Sequence, residues 1–284
     1  MKAALYPNFQ KPNALGCARS VCDVLESCGI EITVSSEFRN DFADKPFVKF
    51  EDITESAKTS DFVLAIGGDG TILRCAKLLI GSDTKLLGIN TGTLGFMAGL
   101  ESDQLDKLRL LTTGDYEISQ RMTLDVIYSG AEGDLTATVL NEVSARSGSF
   151  RICDFEVYSD DYLIGKYRAD GVLFSTPSGS TAYALSAGGP VIEPDLECIE
   201  MTLICPHSLF ARATMFAPNR VLCMKDTTVR DDSMVINVDG EHFVSLGKDD
   251  HIEICRGKNN INFINLIGNS FHESLCRKMC KPIK

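Results

Sequence analysis

FVLAIGGDGT, residues 62–71, holds the strongest structural signal in this chain of 284 residues. Its first five residues are an unbroken apolar run, as in a strand covered on both faces, where neither side meets water. The run passes directly into Gly67-Gly68-Asp69-Gly70-Thr71 and then into ILRCAKLLI (72–80), a helical stretch. The same grammar extends to either side. Upstream, a short apolar run ends at Leu5-Tyr6-Pro7. A helix is expected from Asn13 to Cys28, with Leu15, Ala18, Val21, Cys22 and Leu25 three and four apart, and Gly29 stops it. EITVS (31–35) follows as a strand rich in branched residues. Downstream, KLLGI (85–89) is a second buried strand, and Ser102 to Leu111 a further helix. This alternation predicts a parallel sheet with covering helices, a Rossmann-like α/β domain over residues 1–115.

From about Tyr116 the pattern changes. TLDVIYS, DLTATVLNEVSAR, DFEVYS, YLIGKYR, GVLFS, MVINV, FVSL, HIEI and NFINLI are short strand signals separated by turns such as SDD, DG and RGKNN. One helical interruption follows Pro177, around Thr181 to Ala187. These features predict an all-β, sandwich-like second domain over 116–270. SFHESLCRKMC then reads as a helix within 271–284 that returns to the first domain.

Composition narrows the function classes. A hydrophobic share of 44% and a charged share of 24% are those of a globular domain. No stretch reaches the roughly 18 apolar residues of a membrane span. MKAALYPNFQKPN lacks the apolar core of a signal peptide, so a cytoplasmic protein is expected. Eleven cysteines, an odd count with no Cys-x-x-Cys, read as small core hydrophobes in a reducing compartment. Cys276 and Cys280 share a helical spacing, but no second pair completes a zinc set. The net charge of −11 argues against nucleic acid and against an anionic membrane. With anionic substrates, local groups or a metal must offset that field.

Four segments carry chemistry. In Gly67-Gly68-Asp69-Gly70-Thr71 the glycines admit a ligand close to the backbone, and the amides opening the helix favour an anion. Asp69 is a carboxylate that can hold Mg²⁺ or accept a hydroxyl proton; the plain alternative is a tight strand-to-helix turn. Neither a Walker A loop nor Gly-x-Gly-x-x-Gly is present. Arg74, one helical turn past Gly70, is in reach of a phosphate or simply solvated. GINTGTLGFM (88–97) puts a second glycine loop after a buried strand, at the sheet edge where α/β proteins bind ligands. Asn141-Glu142 lies inside a strand pattern; it suits hydrogen bonds to ribose hydroxyls or an adenine amino group, or is a solvated polar pair. The longest segment runs from Arg168-Ala-Asp170-Gly171 through STPSGSTAYALSAGGP to Pro190. Its strand ends in a Pro/Gly/Ser/Thr turn whose small hydroxylated residues and free amides form a polar pocket, with Tyr183 offering an aromatic face and Asp170 an acceptor. Gly-x-Ser-x-Gly and His-Glu-x-x-His are both absent, so serine-hydrolase and metalloprotease chemistry find no support.

In this order the four segments resemble the NAD kinase family, and the likeness continues through Cys205-Pro206-His207-Ser208-Leu209 to Asp239-Gly240. GGDGT alone is shared with lipid kinases and phosphofructokinases; STPSGSTAYALSAGGP is far more specific. The resemblance implies transfer of the γ-phosphoryl group of ATP, or of polyphosphate, to the 2′-hydroxyl of the adenosine ribose of NAD, with Mg²⁺ as cofactor. It implies Asp69 as proton acceptor, Gly70 against the substrate, and Gly67, Gly68, Gly70 and Thr71 as the phosphate-donor loop. Asn141 and Glu142 would hold the ribose and nicotinamide side, and Thr181, Ala182, Tyr183, Ala184, Leu185 and Ser186 would line the adenosine pocket. Arg74, Arg151 and Cys205 join this set as looser matches; the metal ligands stay unassigned. The family's habit implies a homodimer or homotetramer whose site is completed by a neighbour, at Arg168 and Asp170. Two departures stand out: Arg212 precedes Ala213 where the family often carries Pro, and Glu241 follows Asp239-Gly240 where it often carries Gln, so Glu241 receives no role. The rivals are a lipid or sugar kinase sharing GGDGT, a non-catalytic dinucleotide sensor, and a structural protein with a glycine turn.

Overall fold

The computed structural model describes every residue except 93–94, 132, 150, 229–233, 248, 267–269 and 280–284. The chain divides into two units, Met1–Gln120 with Ile261–Lys284, and Arg121–Asn260. Through the first run β1 (Lys2–Pro7), α1 (Ala14–Ser27), β2 (Glu31–Ser35), β3 (Val48–Glu51), α2 (Ile53–Thr59), β4 (Phe62–Gly67), α3 (Asp69–Leu78), β5 (Lys85–Asn90), β6 (Leu100–Glu101), α4 (Leu110–Thr113) and β7 (Glu117–Arg121). The late elements Ile261–Asn265 and Ser270–Met279, β20 and α6 below, belong to the same unit.

All six residues of β4 are buried, as a strand covered on both faces requires. Its sheet has the order β3-β2-β1-β4-β5-β20-β7, with β6 beside β5. The pairs β1–β2, β1–β4, β2–β3, β4–β5 and β5–β20 are parallel. Strand order therefore runs outward from β1 to β3, then jumps back to β4 on the other side of β1. That reversal makes β1/β4 the topological switch point, where the crevice at the carboxyl ends of the strands admits ligands. Beneath lies a core of Leu5, Val21, Leu25, Leu64, Ile66, Leu87 and Ile89, all fully buried.

Two details differ from expectation. The helix expected over 102–111 is a 3₁₀ turn, Leu105–Arg109, followed by the single turn α4. Leu105, Leu108 and Leu111 are three apart, a spacing that stacks on one face of a 3₁₀ helix. NFINLI, with its β-rich neighbours in sequence, contributes β20 to the parallel sheet instead.

The second unit contains β8 (Leu124–Ser129), β9 (Leu135–Val139), β10 (Glu142–Ser147), β11 (Cys153–Ser159), β12 (Tyr162–Ala169), β13 (Gly171–Ser175), α5 (Tyr183–Ser186), β14 (Ile199–Ile204), β15 (Thr214–Phe216), β16 (Leu222–Asp226), β17 (Met234–Val238), β18 (Glu241–Leu246) and β19 (His251–Arg256). They form two six-stranded sheets, β15-β14-β13-β10-β17-β18 and β12-β11-β16-β19-β8-β9. One buried cluster draws on both, with Val126, Phe155 and Ile254 from one sheet and Val143, Phe174 and Ile236 from the other. That is a β-sandwich core.

DLTATVLNEVSAR, one continuous strand pattern in sequence, is split in the structure: β9 ends at Val139, β10 starts at Glu142, and the two lie in different sheets. The helix expected near Thr181–Ala187 is a 3₁₀ turn, Gly179–Thr181, and the single turn α5. Among the described residues no helix is long and apolar enough to cross a membrane.

Candidate functional site

In the first unit the site grows from the end of β4. Gly68 caps α3 in an extended conformation, and Asp69 is the first helical residue, half-buried. A carboxylate there gains from the helix dipole. It is also held in place: the Phe96 N–H donates to Oδ2 at 2.9 Å and the Met97 N–H to Oδ1 at 3.2 Å. Those amides come from the loop after β5, where Gly67 and Asn90 are paired across the two strands. Gly95 explains the close approach, because a Cβ there would sit 1.9 Å from Asp69 Oδ1. Gly67 is tight too, its Cβ falling 2.5 Å from Thr71 Oγ1, whereas Gly68 and Gly70 face open space. The turn is packed behind and open in front, as a cradle for a ligand needs.

The switch point is bridged by Asn8, just past β1, whose Nδ2 donates to Thr71 Oγ1 at 3.1 Å. A cavity of about 680 Å³ opens beside it, lined by Tyr6, Asn8, Gln10, Ser35, Phe38 and Arg74 among others. Arg74 is exposed and supplies a positive charge to this wall. The Gly88–Met97 loop is anchored by Asn90, which accepts from the Gly92 N–H and donates to Glu101 Oε2 at 2.8 Å. Thr91 Oγ1 beside it is buried without a partner. Thr93 and Leu94 of this loop lie outside the described residues.

In the second unit a different set converges at the start of β10. Asp239-Gly240 joins β17 to β18 with positive φ at both residues (48° and 81°), the geometry of a two-residue hairpin turn. The Asp239 carboxylate then accepts three backbone N–H groups, from Leu140 (3.0 Å), Asn141 (2.8 Å) and Glu142 (3.2 Å). This fixes the point where the chain passes from one sheet to the other. The Pro177 turn closes over it: the Thr176 hydroxyl and N–H donate to the Leu140 and Asn141 carbonyls, and a Cβ on Gly179 would lie 2.1 Å from Asn141 O.

Asn141 and Glu142 are each only 8% exposed, so neither is a solvated polar residue. Asn141 Oδ1 and Glu142 Oε2 are buried acceptors without a partner. Unpaired buried acceptors cost free energy unless something donates to them, which points to a ligand bearing hydroxyl or amine groups. Burial, together with the nearby Asp239 charge, pushes the Glu142 carboxyl up to about 7, and a hydrogen bond from the Tyr183 backbone opposes that rise. Tyr183 has the Arg146 guanidinium 5.9 Å from its ring centroid.

The remaining sequence candidates spread over this unit. Thr181, Ala182, Tyr183 and Leu185 are half-buried, Ala184 is buried and Ser186 exposed. Arg168, on β12, is exposed and lies 3.7 Å from Asp154; Asp170 is exposed in the link between β12 and β13. Arg151 and Cys205 are exposed, Cys205 with a left-handed backbone (φ 46°). Three contributors had no role in the sequence reading. Asp239 is the anchor just described. Glu200, fully buried, accepts from the Ser175 and Thr202 hydroxyls and braces β13 beneath the Pro177 turn. Arg121, buried, donates to Ser178 Oγ at 3.4 Å. Buried polar residues of this kind look like ordinary strand-end residues in a sequence; only the Asp-Gly turn gave a signal.

Comparison with known proteins matches both units. The family model described as ATP-NAD kinase N-terminal domain matches residues 4–116, and ATP-NAD kinase C-terminal domain matches 140–266. An NAD kinase of Lachnospira eligens is 34% identical over 95% of this chain and 97% of its own length. One from Citrifermentans bemidjiense is 32% identical over 98% of each. Among solved structures, a yeast NADH kinase complexed with NADH superposes with a TM-score of 0.89 at 19% identity, covering 100% of this chain and 89% of that one. An Archaeoglobus fulgidus NAD kinase in complex with ATP has a TM-score of 0.72 at 23% identity, covering 96% of each. At these identities the two structures speak for the fold.

Proposed function

The chain belongs to the ATP-NAD kinase family, and from that premise we propose that it transfers the γ-phosphoryl group of ATP to the 2′-hydroxyl of the adenosine ribose of NAD, giving NADP, with Asp69 as the group that meets the hydroxyl. One observation carries the assignment: a half-buried carboxylate pinned by two amides at a switch-point turn whose glycines leave its front open. Asp69 orients the hydroxyl and takes its proton as it attacks in line; positioning supplies most of the rate. Gly67, Gly68, Gly70 and Thr71 present the donor loop, and Arg74 offsets phosphate charge.

Mg²⁺ fits this arrangement only sparingly. Among the described residues no trio of ligating side chains surrounds Asp69, so the ion would be held by the donor's phosphates, water and one Asp69 oxygen. It would neutralise charge on the transferred phosphoryl group.

Asn141 and Glu142 accept from ribose hydroxyls, and Thr181 through Ser186 line the adenosine pocket. Arg151 and Cys205 contribute at its margin. We further propose a homodimer or homotetramer in which Arg168 and Asp170 complete a neighbour's site; Leu209 and Phe210, 90% and 89% exposed just past Cys205, support burial against another copy. The ten described cysteines are all free, which supports a cytoplasmic location.

The test is NADP formation by the purified protein from NAD, with ATP and then polyphosphate, each with and without Mg²⁺, beside a panel of lipid and sugar acceptors. Phosphorylation of NAD alone is expected with ATP and metal. Phosphorylation of a lipid or sugar instead would replace the assignment.

A further inference from the structure

The outer face of the sheet β12-β11-β16-β19-β8-β9 carries a cluster that the kinase reaction does not use. Leu222 and Met224 on β16 and Ile252 and Ile254 on β19 are buried, so the residues alternating with them point away from the sandwich core. Cys223 stands directly opposite Glu253 across that antiparallel pair, and His251 is two residues before Glu253 on the same face. One ligand atom from each, thiol, imidazole and carboxylate, lies within 4.8 Å of the others, and all three residues are half-buried. Among the described residues this is the one such group.

We propose that Cys223, His251 and Glu253 form a zinc-binding site with its fourth position open to water. The chemistry of the set selects the metal: a thiolate beside an imidazole suits Zn²⁺ and is foreign to Mg²⁺ or Ca²⁺, which take oxygen ligands. The geometry is close to what the ion needs. Tetrahedral ligands 2.0–2.3 Å from zinc are about 3.5 Å apart, so side-chain rotations of roughly 1 Å close the trio without moving either strand. Two neighbouring strands joined by backbone hydrogen bonds hold the ligands in register. Lys225, opposite His251, lies with its ammonium 5.2 Å from the centroid of the Tyr158 ring, and its charge favours the thiolate form of Cys223 that a metal needs. Binding releases the Cys223 thiol proton to solvent and ties β16 to β19 through side chains.

The full-length protein, stripped of metal and kept reduced, is titrated with Co²⁺ and then Zn²⁺. One equivalent of Co²⁺ should give the near-ultraviolet thiolate-to-cobalt absorption with visible bands of a four-coordinate ion, and one equivalent of Zn²⁺ should erase both. Cys223→Ser should abolish the near-ultraviolet band. His251→Ala and Glu253→Gln should weaken Zn²⁺ by at least roughly 10-fold, the loss that even an outer-shell partner causes. All three side chains face outward, and circular dichroism checks that the variants fold. A thiolate band that persists in Cys223→Ser, or Zn²⁺ affinity equal to the parent's in all three variants, overturns the site.

Discussion

In the proposed site, Glu142 serves binding at the expense of the empty fold. Its carboxyl titrates near 7 in the folded chain because of burial and Asp239, against about 4.3 when unfolded. Between those values the folded chain binds the extra proton, so stability falls as pH rises from about 4.5 to 7 and stays low above. Glu142→Gln removes that loss. At pH 8 its ligand-free form should be more stable by on the order of 1–3 kcal/mol in denaturant melts, with the gain absent at pH 4.5. NAD affinity by calorimetry should nonetheless drop roughly 10-fold, since a charged acceptor gives the stronger hydrogen bond. A variant that gains no stability at pH 8 contradicts the carboxyl's burial cost. Gly95 tests the site of the first unit. In Gly95→Ala the new Cβ forces the Asp69 carboxylate off the Phe96 and Met97 amides. Turnover should fall by roughly 10-fold or more, since a 1 Å misplacement is felt strongly in the transition state, and the melting temperature should drop as the two amides lose their acceptor.

At the scale of elements, the Pro177 turn and the β9–β10 break form one device, with Gly179 seated on the Asn141 carbonyl. Backbone meets backbone there and neither can swing away. Gly179→Ala should cost roughly 2 kcal/mol or more of stability and raise the KM for NAD at least roughly 10-fold; steady-state kinetics and thermal melts read both. FVLAIG was legible because an unbroken apolar run has few structural outlets, and the glycine turn after it fixed where the strand ends. Asn141-Glu142 was legible as chemistry but not as geometry. Alternating residues run through both β9 and β10, and nothing in that period marks a change of sheet. The same limit hid β20: an apolar strand pattern does not name its partner, and Ile261–Asn265 pairs with β5 far back in the chain. Asp239 was visible as a turn residue, whereas its reach to three amides is a long-range fact.

For the whole molecule, each unit has its own buried core, a parallel α/β sheet in one and a sandwich in the other. The net charge of −11 opposes anionic substrates, and in the proposed site Arg74 and the helix-opening amides are the local groups that offset it. Sedimentation should give the mass of a dimer or tetramer, and Leu209→Asp with Phe210→Asp should lower it to one chain with loss of NADP formation. A monomeric parent with full activity would remove the shared site. The proposed phosphoryl transfer turns on one side chain, Asp69. Measured by single-turnover NADP formation with parallel NAD titration, Asp69→Asn should bind NAD within a few-fold of the parent and transfer phosphate roughly 10²-fold or more slowly. Parental turnover with parental NAD binding would contradict the role given to Asp69.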